Sequence, residues 1–230
     1  MPVVRKIPCT VRHVIDHGEH VYTVELAPST VVPSFKPGQF LHLALDPYDG
    51  TGFWPESRVF SIASSPRVKD SLEITYAVKG PFTRRMEREV VSGNTVWVKL
   101  PYGEFVIDPA KDTVLFAGGT GVTAFTAFLQ SLTPEHPSRV LLLYGARTPD
   151  LFVYGSLAKV RADAVRSLTC FLVSEETQGR LEVNAAWTAI ASLTNPLFYL
   201  SGPPAMITAL TNQLVARDVC PEAIRIDAWE

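Results

Sequence analysis

The pattern of apolar residues changes near residue 110, and this change constrains the fold more than any other feature of the chain. Before it, large apolar residues alternate with polar ones, as in residues 72–78 and 95–100. After it, apolar runs are nearly continuous, as in residues 113–117 and 140–144. Alternation is typical of antiparallel strands with one solvated face, whereas continuous runs are typical of parallel strands buried on both faces.

The segments between the apolar runs differ in the two halves, and they predict two different architectures. Pro and Gly interrupt the short strands of the first half, at residues 36–38 and 92–94, which favours a small barrel. In the second half, candidate helices alternate with the buried runs, which favours a doubly wound fold. We expect these helices at residues 123–132, 154–164, 184–191 and 205–217. We therefore predict an antiparallel β-barrel domain over residues 1–108 and a doubly wound α/β domain with a parallel sheet over residues 109–230.

The composition favours packed domains and excludes several classes of function. The chain has 230 residues, of which 47% are hydrophobic and 19% charged, so it can form a core. Its net charge of -2 gives no general attraction to nucleic acid or anionic lipid. No apolar run has the roughly 18–20 residues that span a bilayer, and the N-terminus lacks a signal pattern, so we expect a cytoplasmic location. The three cysteines and five histidines form no ligand motif, so we expect no metal site.

A glycine-rich segment at residues 118–124 follows the first buried run and precedes a predicted helix. Within it, Gly119-x-Gly121-x-x-Ala124 fits a dinucleotide fingerprint, in which glycines allow close approach to a phosphate and the helix N-terminus attracts an anion. A tight turn without a ligand is the alternative. Further along, Asp150 would suit ribose hydroxyls and Arg147 a 2′-phosphate, unless both are ordinary loop charges.

Residues 58–61 supply a cation, an aromatic ring and a hydroxyl within four positions. On a strand, Arg58 and Phe60 would share one face and Ser61 would lie on the other. Taken alone, this segment is most simply a solvated strand edge.

Six segments in register resemble the ferredoxin–NADP reductase superfamily, which includes oxygenase reductases and NAD(P)H:flavin reductases. The resemblance runs over nearly the whole chain, in the order that the family has. The family motifs are F-x-P-G-Q-F/Y, R-x-Y/F-S, G-x-x-S/T, P-x-G-x-F, G-G-T-G-x-T-P/A and C-G-P-P-x-M. The matching residues are 35–40, 58–61, 80–83, 101–105, 118–124 and 202–206.

The resemblance implies an FAD site in the first domain. Arg58 would bind the flavin phosphate, Phe60 would stack near the isoalloxazine, and Ser61 would hydrogen-bond flavin N5. A short helix would hold the pyrophosphate through Gly80 and Thr83, aided by Arg84. The other cofactor-binding residues implied in this domain are Val59, Tyr76, Val78 and Phe82.

For the second domain, the resemblance implies a site for NAD(P)H. The residues that would hold the nucleotide or shape the nicotinamide pocket are Gly119, Thr120, Gly121, Thr123, Arg147, Gly202, Pro203 and Met206. Ser201 stands where many relatives have cysteine, so hydride transfer is expected to be slower. Trp229 would lie near the flavin or pack between the domains, and both interpretations stay open. We assign catalytic roles to Ser61, Ser201 and Trp229.

The activity implied is that of an FAD-dependent, ferredoxin/flavodoxin–NAD(P)H reductase-like flavoenzyme. Electrons would pass from NAD(P)H through flavin to an external carrier such as ferredoxin, flavodoxin or an oxygenase component. An NAD(P)H:flavin reductase that uses free flavin is the alternative, and a non-enzymatic flavin-binding redox-sensing subunit is a third. The Glu175 carboxylate would repel the 2′-phosphate of NADPH and so favours NADH, whereas Arg147 and Arg180 could attract that phosphate and favour NADPH. Weighing these charges together, we expect a slight preference for NADH.

Overall fold

A computed structural model of the chain describes residues 3–227. These residues form two compact units, which divide between Val106 and Ile107. Trp229, to which we assign a catalytic role from the sequence, lies outside the described residues.

The first unit is a six-stranded antiparallel barrel that is nearly closed. Its strands are β1 Arg5–Asp16, β2 Val21–Pro28, β3 Phe40–Ala44, β4 Ser57–Ser61, β5 Leu72–Ala77 and β6 Thr95–Tyr102. Their order is β4-β3-β6-β1-β2-β5, and the Ala63 N–H donates to the Glu73 carbonyl at 2.8 Å, which joins the two ends of this row. The predicted antiparallel barrel is confirmed.

Alternation along the strands decides which residues fill this barrel. In β6, Val96, Val98 and Leu100 are buried, whereas Trp97 and Lys99 between them are partly exposed. One helix, α1 Pro81–Glu89, connects β5 to β6 and buries Phe82 and Met86. Because the two buried positions are four residues apart, they lie on one face of α1, which packs against the unit.

The second unit is a five-stranded parallel sheet with helical connections. Its strands are β7 Thr113–Gly118, β8 Val140–Ala146, β9 Leu168–Ser174, β10 Leu197–Ser201 and β11 Ile224–Asp227. Its helices are α2 Thr123–Ser131, α3 Gly155–Ala164, α4 Glu175–Gln178, α5 Trp187–Ala191 and α6 Pro204–Val215. The strand order is β11-β10-β7-β8-β9 with every pair parallel. The predicted parallel α/β unit is confirmed.

The strand order places a topological switch point between β7 and β10. From β7 the chain runs outward through β8 and β9, then returns to the other side of β7 as β10. Connections that leave a parallel sheet in opposite directions open a crevice at the carboxyl ends of the two strands, where ligands commonly bind. In this unit those ends are Gly118 and Ser201.

Two elements of the second unit differ from the sequence prediction. Residues 184–191, which we expect to form one helix, form a 3-10 turn over Val183–Ala186 followed by the five-residue α5. Strand β11 is missing from the prediction because its four residues include Arg225 and Asp227 and so form no continuous apolar run. None of the helices within residues 3–227 is long and apolar enough to cross a membrane.

Candidate functional site

Arg58 lies beside the first turn of α1 in the first unit. Its guanidinium carbon is 5.0 Å from the centre of the Phe82 ring. The side chain is about half exposed, and it donates to the Glu56 carboxylate and to the Ser57 carbonyl, both at 2.9 Å. A guanidinium beside a helix N-terminus adds a full charge to the positive end of the helix dipole, which suits an anion such as a phosphate.

The turn before α1 offers open space and backbone donors. Gly80 is extended, and a side chain there would meet nothing within 4 Å. The Thr83 hydroxyl accepts from the N–H groups of Lys79 and Gly80, at 2.9 and 3.0 Å. Since Pro81 has no N–H, the donors left at the start of the helix are those of Phe82 and Thr83. The Thr83 side chain therefore shapes the turn, while an anion would bind to backbone N–H groups.

Strands β4 and β5 of the same unit contribute aromatic rings and one buried hydroxyl. The Phe60 ring packs edge-on against Tyr76, with centroids 6.2 Å apart, and Tyr76 stacks on Tyr22 at 5.5 Å. Burial raises the pKa of the Tyr76 phenol, which keeps it neutral. Ser61 is almost fully buried, yet within residues 3–227 its hydroxyl has no hydrogen-bond partner.

Two predicted flavin ligands, Val59 and Val78, already have backbone partners within the first unit. Val59 lies opposite His42 on β3, and the Val78 N–H donates to the His20 carbonyl at 2.9 Å. The Val78 N–H is therefore already paired and would have to leave His20 before it could bind a ligand.

Three glycines of the second unit pack closely at the switch point. A methyl group on Gly121 would lie 2.3 Å from the Ser201 carbonyl oxygen. On Gly118 it would lie 2.5 Å from the sulfur of Met206, and on Gly202 it would lie 2.7 Å from the terminal carbon of that side chain. The glycine-rich segment 118–124 and the start of α6, which both contain predicted ligand residues, are therefore side by side.

The two fingerprint glycines have different roles. Gly119 has a φ of +53° and faces open space, so it leaves room for a ligand. At Gly121 the space that a side chain would need is taken by the backbone of Ser201 and Gly202, so this glycine allows the turn after β7 to pack against the end of β10. The Thr123 hydroxyl donates to the Thr120 carbonyl at 2.8 Å and fixes the turn between β7 and α2.

Ser201 and Asp227 form a buried polar pair at the ends of β10 and β11. The two residues are paired in register, and the serine hydroxyl donates to the carboxylate at 3.0 Å. Ser201 is 2% exposed and Asp227 4%. A buried carboxylate is costly without hydrogen bonds, so Ser201 has a clear structural role. Asp227 is absent from our sequence-based site, although it belongs to the C-terminal segment that drew attention to Trp229.

Charged residues gather at the carboxyl ends of β8 and β9. The Arg147 carbonyl accepts from the Glu176 N–H at 3.0 Å, and the neighbouring Glu175 forms an exposed ion pair with Arg180 at 3.1 Å. An open depression of about 600 Å³ adjoins them, lined in part by Val173, Gln178 and Arg180. The residues weighed for donor preference therefore lie along one edge of the sheet.

Comparisons with known proteins agree with this architecture. Residues 115–212 match the model of the oxidoreductase NAD-binding domain. The ferredoxin reductase component of 3-ketosteroid-9-alpha-monooxygenase from Mycobacterium tuberculosis is 28% identical over 200 residues, which cover 85% of this chain and 55% of that protein. The flavohemoprotein of Bacillus subtilis is 24% identical over 215 residues, covering 87% of this chain and 53% of that protein.

Solved structures share the fold over nearly the whole chain. The Amycolatopsis cytochrome P450 reductase superposes with a TM-score of 0.80 at 21% identity, covering 99% of this chain and 70% of that one. The FAD/NAD-binding domain of nitric oxide dioxygenase from Vibrio cholerae gives 0.79 at 20% identity, covering 97% and 98%. The resemblance to the ferredoxin–NADP reductase superfamily is confirmed. The chain spans about half the length of the curated relatives that it matches.

Proposed function

We propose that this chain is an FAD-dependent oxidoreductase that takes electrons from NAD(P)H and passes them to an external carrier. The observation that carries the proposal is the switch point, where Gly119 faces open space beside the start of α6. The match of residues 115–212 to an NAD-binding domain supports a nicotinamide nucleotide at this position. The Vibrio domain, which is named for FAD and NAD, supports flavin as the second ligand.

The first unit has residues that fit a flavin. Arg58 and the first turn of α1 would bind the phosphate, with Gly80 leaving space for it. Phe60 and Tyr76 would line the ring system, and the Ser61 hydroxyl, which has no partner among the described residues, would donate to it. When bound, the flavin supplies the chemistry, because it accepts a hydride and releases electrons one at a time.

The second unit would orient the electron donor. The loop from Gly119 to Thr123 and the segment from Gly202 to Met206 would bind the nicotinamide nucleotide, with Arg147 near its adenosine end. Ser201 would contribute indirectly, by holding the Asp227 carboxylate in place, because its hydroxyl already donates to that carboxylate. These residues bind and position their ligand and exclude water, which is the contribution of the protein to such a reaction.

We propose an oxygenase component as the acceptor, with ferredoxin or flavodoxin as other candidates. Among the similar proteins are reductase components of 3-ketosteroid-9-alpha-monooxygenase and of terephthalate 1,2-dioxygenase. The flavin-reductase alternative is favoured by one observation, the half-exposed Arg58 with its carboxylate neighbour, because such a cation would hold a phosphate loosely.

An anaerobic absorbance titration tests the proposal. We expect the purified protein, supplied with FAD, to lose its flavin absorbance when NADH or NADPH is added. Flavin that binds but is bleached by neither donor would contradict the oxidoreductase and favour a redox-sensing subunit. A protein that purifies colourless, with no flavin in the extract, would contradict resident FAD and favour free flavin as substrate.

A further inference from the structure

Arg58, which we propose as a ligand of the flavin phosphate, already forms an ion pair with Glu56, a carboxylate just before β4. Its Nη2 donates to Glu56 Oε1 at 2.9 Å, and its Nη1 donates to the Ser57 carbonyl at 2.9 Å. The two side chains are 50% and 60% exposed, so the pair is in contact with solvent. We infer that Glu56 competes with the flavin phosphate for Arg58 and thereby sets how tightly the chain retains flavin. This inference rests on the proposed function.

Chemistry gives the reason for competition. Carboxylate and phosphate oxygens are both acceptors for the same guanidinium donors, and tight phosphate binding is usually bidentate. Two of the three guanidinium nitrogens of Arg58 already donate within the chain. A phosphate that engages Nη2 fully must therefore displace Glu56 or share the nitrogen with it.

The position of the guanidinium makes the competition relevant to the helix. Its carbon lies 5.0 Å from the Phe82 ring, at the second residue of α1, so the cation stays near the helix start while it is paired. Glu56 thus places a negative charge on the same guanidinium that lies beside the helix start. Release of an exposed pair is cheap, so Glu56 would weaken phosphate binding without preventing it.

Neither of the basic residues Arg84 and Arg85 on α1 replaces Arg58. Arg85 donates to Asp46 at 2.8 Å and to Glu89 at 2.8 Å, so its charge is bound within the unit. Arg84 is exposed on α1, so its charge is not held in one position. Of these three arginines, Arg58 is therefore the one whose pairing a phosphate at this helix start could exchange.

The test compares FMN with riboflavin, which differ only by the phosphate. Dissociation constants are measured by flavin fluorescence for the wild type and Glu56→Gln. We expect FMN to bind about two- to five-fold more tightly to the variant, with a smaller gain at high salt, and riboflavin to bind equally to both proteins. Asp70→Asn is the matched control, because Asp70 is exposed and forms no ion pair within residues 3–227. This substitution should change the dissociation constant of neither FMN nor riboflavin.

A double-mutant cycle isolates the contact with Arg58. In an Arg58→Ala background, we expect Glu56→Gln to have no effect on FMN. A gain that persists there would show direct repulsion and overturn the inference, as would equal gains for FMN and riboflavin. If the wild type binds FMN and Glu56→Gln binds it no more tightly, the inference alone is wrong. If no form binds any flavin, the proposed function is wrong and the inference falls with it.

Discussion

The Ser201 hydroxyl donates a 3.0 Å hydrogen bond to the Asp227 carboxylate, and both side chains are buried at the ends of adjacent parallel strands. Its position in a sequence motif predicts a catalytic role for Ser201. The structure adds that it satisfies an acidic group that would be costly to bury alone. The pair also joins β11 to the strand that borders the switch point.

Ser201→Ala should therefore destabilise the protein even without ligands. We expect the free energy of unfolding to fall by about 1–3 kcal/mol, the cost of removing a donor from a buried acceptor. Urea denaturation measures the change. Ser156→Ala, at an exposed position near the start of α3, should stay within about 0.5 kcal/mol of the wild type. Equal stability of the two variants would show that Asp227 does not depend on Ser201.

The glycines at the switch point give a matched pair of substitutions. Gly121→Ala would place a methyl group 2.3 Å from a backbone oxygen, so we expect a loss of about 3 kcal/mol or more. Gly119→Ala meets open space at a positive φ, so we expect a loss of only about 1–2 kcal/mol. Thermal or urea unfolding compares them. A Gly121→Ala protein as stable as Gly119→Ala would contradict the close packing against Ser201.

Local patterns predict the elements of this site better than they predict its contacts. Strand β7 is buried at every position, so an apolar run followed by glycines is enough to assign the strand and its turn. The contact of Ser201 with Asp227 spans 26 residues and depends on β11, whose charged residues conceal it. The contact of Arg58 with Phe82 depends on where α1 packs, and spacing along the chain does not determine that.

A surface cluster near α1 predicts a pH effect. The hydrogen bond from His20 Nδ1 to Glu87 Oε1, at 2.7 Å, raises the pKa of His20 above its ordinary value of 6.5. The charged form is thus favoured by folding, so its stabilising effect is complete below the unfolded pKa and is lost as pH rises through the folded pKa. NMR titration should show the His20 pKa falling in Glu87→Gln. An unchanged pKa would mean that the contact is not formed in solution.

Ser61→Ala tests the hydroxyl proposed to contact the flavin. Because this hydroxyl has no partner within residues 3–227, its removal should cost little stability. We expect flavin to remain bound, while its reduction by NAD(P)H slows about 2- to 10-fold, the equivalent of one hydrogen bond. Stopped-flow absorbance measures the rate, and Ser64→Ala, whose hydroxyl accepts from the Glu73 N–H, serves as the control. An unaltered rate would remove Ser61 from the mechanism.

Donor preference should depend on the exposed pair of Glu175 and Arg180. The carboxylate would repel the 2′-phosphate of NADPH and also occupies Arg180, the cation that could bind it, at 3.1 Å. We therefore propose a preference for NADH, and we expect Glu175→Gln to raise kcat/KM for NADPH about two- to five-fold relative to NADH. Glu182→Gln, also beside the depression, is the control for a general change of charge. Arg180→Ala should lower the NADPH value, because it removes the cation and leaves the carboxylate. A ratio that changes in neither variant would mean that the 2′-phosphate binds elsewhere, with Arg147 as the next residue to test.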